Sequence, residues 1–231
     1  MRLITWNACR GTYESKAPLI LELEPDIAVI QEIAKPKSEV AGCHWFGDNP
    51  KQGVAVIASP AYRLQPLTQR HNVPKFVVPF SVEGPQSFLL MAVWTLGKQP
   101  LRYVRAATSA VEAYADLFKS ERVVLLGDFN SNAIWDKEHP KHLNHSSLVE
   151  RLAEHGLVSA YHHAHGMPHG KEEESTFHLY RHHDKPYHID YCFLPLSWAK
   201  QIKQVQLGAY ETWAKQSDHL PLVVELNASV A

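Results

Sequence analysis

Short apolar runs recur along the chain between turn residues. Residues 3–6, 26–30, 54–58, 76–82, 87–96, 101–106, 123–126, 189–194 and 220–226 are rich in Val, Ile, Leu, Phe, Trp and Tyr and read as strands. Helical signals are fewer. Residues 17–23 read as a helix with Pro18 in its first turn and Pro25 ending it. The capping-box pattern Ser109-Ala110-Val111-Glu112 opens a second, whose apolar face is Val111, Tyr114, Ala115 and Phe118. Ser147-Leu148-Val149-Glu150 opens a third, stopping at Gly156. Strands outnumber helices and the helices are widely spaced. The expectation is two packed sheets with helices outside, rather than an alternating βαβ array. No linker, repeat or low-complexity tract interrupts residues 1–231, so a single domain is expected.

Composition narrows the function classes. The 23 Lys and Arg nearly balance 24 Asp and Glu, giving a net charge of -1. That argues against a long basic face gripping duplex nucleic acid and leaves room for a local positive patch. No apolar run reaches the roughly 18 residues of a membrane span, and the first residues are too polar for a secretory leader. Cys9, Cys43 and Cys192 are odd in number and form no CxxC. A reduced, cytoplasmic, monomeric protein is the expectation.

Polar residues fall at strand ends in a pattern. Asn7 follows the first strand, and Glu32 follows Ile27-Ala28-Val29-Ile30-Gln31. Gly127-Asp128-Phe129-Asn130 follows four aliphatics, Asp190 sits between Ile189 and Tyr191, and Ser217-Asp218-His219 precedes the last strand. Taken singly, each has a plain reading as a turn, a cap or a solvated side chain. Together they suit phosphoester chemistry. A hard divalent cation such as Mg²⁺ takes oxygen ligands, with Glu32 the leading donor and Asp218 able to share the ion. Asp128 is the candidate base for a water, and Asn130 the amide that orients it. His219 offers a donor to developing phosphoryl charge, with Asp190 paired to it, and Asn7 adds a neutral polar group beside metal or base.

These motifs, with Thr5-Trp6-Asn7 at the start and Ser217-Asp218-His219-Leu220-Pro221-Leu222 near the end, resemble the endonuclease/exonuclease/phosphatase superfamily in order and spacing over nearly the whole chain. The resemblance implies a four-layer α/β/β/α sandwich of two mostly antiparallel sheets, with the site at one edge. It implies Mg²⁺- or Mn²⁺-dependent phosphoester hydrolysis, with Glu32 as metal ligand, Asp128 as base, Asn130 as positioning amide, Asp190 and His219 as the orienting pair, and Asp218 as a further metal or water contact. Two departures stand out. Cys9 occupies the place where abasic-site enzymes carry an Asp. The stretch where many relatives carry a His or Tyr reads Tyr103-Val104-Arg105-Ala106-Ala107-Thr108, so Tyr103 and Arg105 are candidate phosphate contacts. The expected activity is a nuclease-like phosphodiesterase. Two alternatives stay open: an enzyme for a small or lipid phosphoester, using Arg105, Arg181 and Lys185, and a non-catalytic scaffold.

Twelve of the 15 histidines lie between His139 and His188. A zinc site around His162, His163 and His165 or around residues 178–183 is one reading. The Gly, Pro and Glu content of the segment favours an exposed loop instead. Asn144 and His145 are candidate substrate contacts at a pocket mouth.

Overall fold

The computed structural model describes residues 1–71, 73–97, 101–120 and 122–227. In chain order the elements begin β1 (Arg2–Asn7), α1 (Tyr13–Leu21), β2 (Ile27–Ile33), β3 (Cys43–Asn49), β4 (Gln52–Ala58), β5 (Arg63–Pro66), β6 (Val77–Glu83) and β7 (Phe88–Trp94). There follow α2 (Val104–Ala113), α3 (Ala115–Ser120), β8 (Val123–Asp128), α4 (His145–Glu154), β9 (Leu157–Ser159) and α5 (Ala160–His165). The last are β10 (Phe177–His178), β11 (Pro186–Tyr187), β12 (Asp190–Pro195), α6 (Leu196–Ala199), β13 (Ile202–Leu207), α7 (Tyr210–Trp213) and β14 (Leu222–Leu226).

Two six-stranded sheets carry the fold, ordered β13-β14-β1-β2-β4-β3 and β5-β6-β7-β8-β12-β9. Each contains one parallel pair, β1/β2 and β7/β8, and is otherwise antiparallel. A parallel pair needs a crossover, supplied by α1 in the first sheet and by α2 and α3 in the second. Alternating side chains split into three apolar layers. Leu3, Val29, Val56, Phe80, Leu90 and Leu126 fill the space between the sheets. Ile4, Trp6 and Ile30 face Ala17 and Ile20 of α1. Met91, Leu125 and Phe193 face Val111, Phe118, Leu148 and Leu152 of the outer helices. This is a four-layer α/β/β/α sandwich.

The topology creates one privileged edge. Asn7, Glu32 and Asp128 lie at the carboxyl ends of β1, β2 and β8. Because β12 runs antiparallel to β8, its first residue, Asp190, lies opposite Asp128. Because β14 runs antiparallel to β1, the Ser217-Asp218-His219 segment leading into it arrives at the same edge.

Several local expectations change. Residues 101–106 do not form a strand. The alanine-rich stretch from Val104 makes α2, burying Ala106, Ala107 and Ala110, and the Thr108 hydroxyl donates to the Val104 carbonyl. Ser109 therefore lies inside α2 rather than capping it, and the helix breaks at Tyr114. The first helix begins earlier than 17, at Tyr13, because Thr12 accepts from the Ser15 amide as N-cap, which leaves Pro18 in the helix interior. The third helix is capped by Asn144, and Ser147 closes the reciprocal box from the third position. Strands β3, β5, β9 and β13 carried no clear apolar run because they are short or half-exposed.

Gly127 meets a hard constraint. Its φ is +153° and an added Cβ would stand 1.9 Å from the Val93 carbonyl oxygen. Gly127→Ala is expected to lower unfolding free energy by about 3 kcal/mol or more, measured by urea titration, since neither strand can retreat without breaking the β7/β8 ladder.

Candidate functional site

The edge assembles as a hydrogen-bonded cluster. The Asn7 side-chain amide donates to Asp128 Oδ2 at 3.0 Å and to Glu32 Oε1 at 3.3 Å, so residues 25 and 121 positions away share one nitrogen. The Asn7 carbonyl oxygen of the side chain accepts from the Cys9 amide. Gln52 Nε2 donates to Glu32 Oε2 at 2.9 Å. Asn130 holds Asp128 twice, through its backbone amide to Oδ1 at 2.8 Å and its side-chain amide to Oδ2 at 2.9 Å. His219 Nδ1 donates to Asp190 Oδ2 at 2.9 Å, both groups buried. Ligand atoms of Asp128, Asp190 and His219 all lie within 4.8 Å of one another. Asp218 is half-buried beside Cys9 and adds its charge to the field at His219.

Backbone strain concentrates here. Glu32 sits at a bulge between β2 and β4 with φ +58°, and Asn130 has φ +46°. Such conformations cost on the order of 1–3 kcal/mol each in non-glycine residues, and the surrounding hydrogen bonds offset them.

Electrostatics follow from burial. Asp128 has no solvent exposure, and desolvation together with the Asp190 charge pushes its carboxyl up to about 7. Burial pulls His219 down, but the charge and hydrogen bond of Asp190 more than reverse this and raise it to about 9. Asp190 Oδ1 is buried with no hydrogen-bond partner among the described residues. Glu32, joined to Asp128 through Asn7, and the orphaned Asp190 oxygen beside Asp128 are the kind of oxygen donors that a hard divalent cation takes.

Sequence reasoning missed the supports. Thr176 Oγ1 accepts from the Ile189 and Asp190 amides, fixing the start of β12. Ser217 Oγ donates to the Asn7 carbonyl and accepts from the His219 amide. Trp6 Nε1 donates to the His219 carbonyl. Phe177 covers the His219 ring with centroids 4.6 Å apart. These contacts span up to 213 positions and leave no local spelling.

An open cleft of about 620 Å³ adjoins Asn130 and Phe177, lined also by Tyr103, Arg105, Trp135 and His145. Tyr103 and Arg105 thus reach it from the start of α2. Asn144 does not line it, since its side-chain oxygen accepts from the Ser147 amide to cap α4. His145 is buried in its wall with both ring nitrogens engaged, by Ser131 and His169.

The histidine segment is not simply an exposed loop. His145, His162, His178 and His188 are buried, whereas His139, His142, His163, His165, His182 and His183 are exposed. Burial holds His145 and His188 at about 4 and His169 at about 2, so these rings are neutral.

The pH consequence has a definite sign. Raised folded values for His219 and Asp128 stabilise the fold at low pH; the Asp128 contribution fades as pH rises from about 4 through about 7, and that of His219 from about 6.5 through about 9. In EDTA, the melting temperature is therefore expected to fall between pH 6 and 9 by about 5 °C more in the parent chain than in His219→Gln, measured by calorimetry.

No protein-family model matches the sequence, and no curated protein matches it in sequence. Solved structures do match. A 3'-5' exonuclease from Neisseria meningitidis has a TM-score of 0.71 at 20% identity, covering 98% of this chain and 100% of that one. An AP endonuclease from Archaeoglobus fulgidus has a TM-score of 0.72 at 18% identity, covering 98% and 99%. The catalytic domain of Xenopus laevis APE2 has a TM-score of 0.71 at 12% identity, covering 98% and 91%. With its two six-stranded sheets and flanking helices, the chain shares the DNase I-like fold of these structures.

Proposed function

We propose that this chain is a Mg²⁺- or Mn²⁺-dependent phosphodiesterase acting on nucleic acid. The observation that carries the reading is the Asn7 amide shared between Glu32 and Asp128, with the buried Asp190–His219 pair alongside. A scaffold without turnover has no physical need to bury two carboxylates beside an imidazole at a strained edge.

Glu32, steadied by Asn7 and Gln52, is the leading ligand for the cation, with Asp218 a further contact. Held there, a divalent cation would supply Lewis-acid polarisation of a phosphoryl oxygen and charge stabilisation of the leaving oxygen. Asp128 accepts the proton of the attacking water, and Asn130 fixes which carboxylate oxygen faces it. Asp190 spends the Nδ1 proton of His219, which keeps the ring cationic and leaves Nε2–H as the donor to developing phosphoryl charge. The exposed Arg105 guanidinium and the half-buried Tyr103 and Trp135 give the cleft a cation and aromatic faces suited to a phosphate and a base. The fold neighbours include an exonuclease and an AP endonuclease, which supports nucleic acid over a small or lipid phosphoester.

We read the chain as a single-domain monomer. Among the described residues no helix is long and apolar enough to cross a membrane. Three free cysteines suit a reducing cytoplasm.

Asp128→Asn and His219→Ala are each expected to lower turnover at least about 100-fold with circular dichroism unchanged. EDTA should abolish activity, and Mg²⁺ or Mn²⁺ should restore it. The substrate panel is labelled single- and double-stranded DNA, RNA, inositol phosphates and sphingomyelin. Near-normal hydrolysis in both variants would refute the assignment, and cleavage of the small or lipid phosphoesters alone would replace nucleic acid as substrate.

A further inference from the structure

Behind the Asp128–Asn130 loop lies a second cluster that the proposed hydrolysis does not use. Ligand atoms of His162, His169 and Glu172 lie within 4.8 Å of one another. The His162 and His169 rings stack with centroids 3.5 Å apart and planes 11° apart. His162 Nε2 approaches Glu172 Oε1 at 2.9 Å, with both side chains under 10% exposed: 7% and 6%. His188, 3% exposed, lies with its ring centroid 5.6 Å from that of His162, and its Nε2 has no hydrogen-bond partner among the described residues.

We propose that His162, His169 and Glu172 form a zinc site, with His188 as the nearest reserve donor. Two stacked imidazoles cannot both carry charge at this separation, so the pocket gathers lone pairs around a buried carboxylate with little cation to balance them. An imidazole-rich set with one carboxylate suits Zn²⁺ and disfavours Mg²⁺ or Ca²⁺, which prefer all-oxygen shells.

The outer contacts fit the same reading. A ligating imidazole donates its other N–H to a neighbour that fixes its orientation. His162 Nδ1 lies 2.7 Å from Ser159 Oγ, and His169 Nδ1 lies 3.0 Å from His145 Nε2. His145 in turn meets Ser131 Oγ through Nδ1 at 3.0 Å. An ion would take the place of the proton that His162 Nε2 shares with Glu172 Oε1, and the His169 ring would turn out of its stack to aim its Nε2 lone pair at the same point. Asn132 Nδ2 and the Gly170 amide both donate to Glu172 Oε1, holding the carboxylate in place. The ion would fasten the segment after α5, which has little regular structure, to Ser131 and Asn132, directly beside Asn130. Its role is structural.

The test uses the full chain, grown with zinc and gel-filtered in excess Mg²⁺ so that a hard-cation site cannot retain zinc unnoticed. Mass spectrometry of the metal should find about one zinc per chain. Cobalt substituted into the stripped protein should give the visible absorption of a four-coordinate nitrogen–oxygen site. His169→Gln and Glu172→Gln should each weaken zinc binding by at least about 100-fold, since loss of even an outer partner costs about 10–100-fold. Glu32→Gln should leave zinc content unchanged. Absence of zinc in the parent chain together with no cobalt spectrum would overturn the proposal, whether or not the variants fold. Zinc lost from Glu32→Gln but kept in His169→Gln would also overturn it.

Discussion

Two carboxylates facing each other across neighbouring strands, buried from bulk solvent, set the terms for the rest of the structure. Asp128 and Asp190 are register partners in β8 and β12, and both are fully buried. Left alone, two such charges would neutralise by taking up protons or force the strands apart. His219 relieves this by binding Asp190, and it reaches that position only because β14 is stitched to β1. The Asn7 and Asn130 amides do the same for Asp128 from two sides. Remove the closure of the first sheet and the second sheet holds an uncompensated pair.

Much of this edge was legible in the sequence because strand ends leave a local signature. Four buried aliphatics followed by Gly-Asp-Phe-Asn mark a strand that delivers a carboxylate, and Asp190 between apolar neighbours marks another. The order of these signatures also pointed to the layered fold. What was illegible had non-local causes. Gln52 steadies Glu32 because β2 and β4 pair with a bulge, and Thr176 fixes Asp190 from a segment with almost no regular structure. The stretch around Tyr103 misled because aromatic and β-branched residues precede an alanine-rich helix whose buried face appears only once β6 and β7 are in place. Asn144, expected as a substrate contact at a pocket mouth, caps α4, two uses of the same amide that composition does not separate.

The histidines were misjudged for a related reason. Gly, Pro and Glu around them describe a surface segment, and half of that segment is one. The buried half is held by Asn132, whose side-chain amide donates to Glu172 Oε1 and to the His188 carbonyl, and by Tyr191, whose hydroxyl donates to the Ser131 carbonyl. The layer behind the edge that carries Asp128 and Asn130 is thus polar and ring-stacked rather than aliphatic. It joins the cleft wall to the same β12 strand that carries Asp190, so disturbance in one is transmitted to the other through a few short contacts.

The pairing of β1 with β14 has a consequence for the timing of folding. The first strand emerges from the ribosome early and its α1 crossover to β2 can form at once, yet its other neighbour is made more than two hundred residues later. Until then Asn7 sits on the open edge strand β1, Glu32 lies one strand further in between β1 and β4, and His219 does not exist to meet Asp190. Contacts this distant in sequence form slowly, and an open strand edge invites wrong partners meanwhile. The cluster of Asn7, Glu32, Asp128, Asp190 and His219 is therefore the last part of the molecule to assemble, and no nascent fragment that lacks β14 contains it whole.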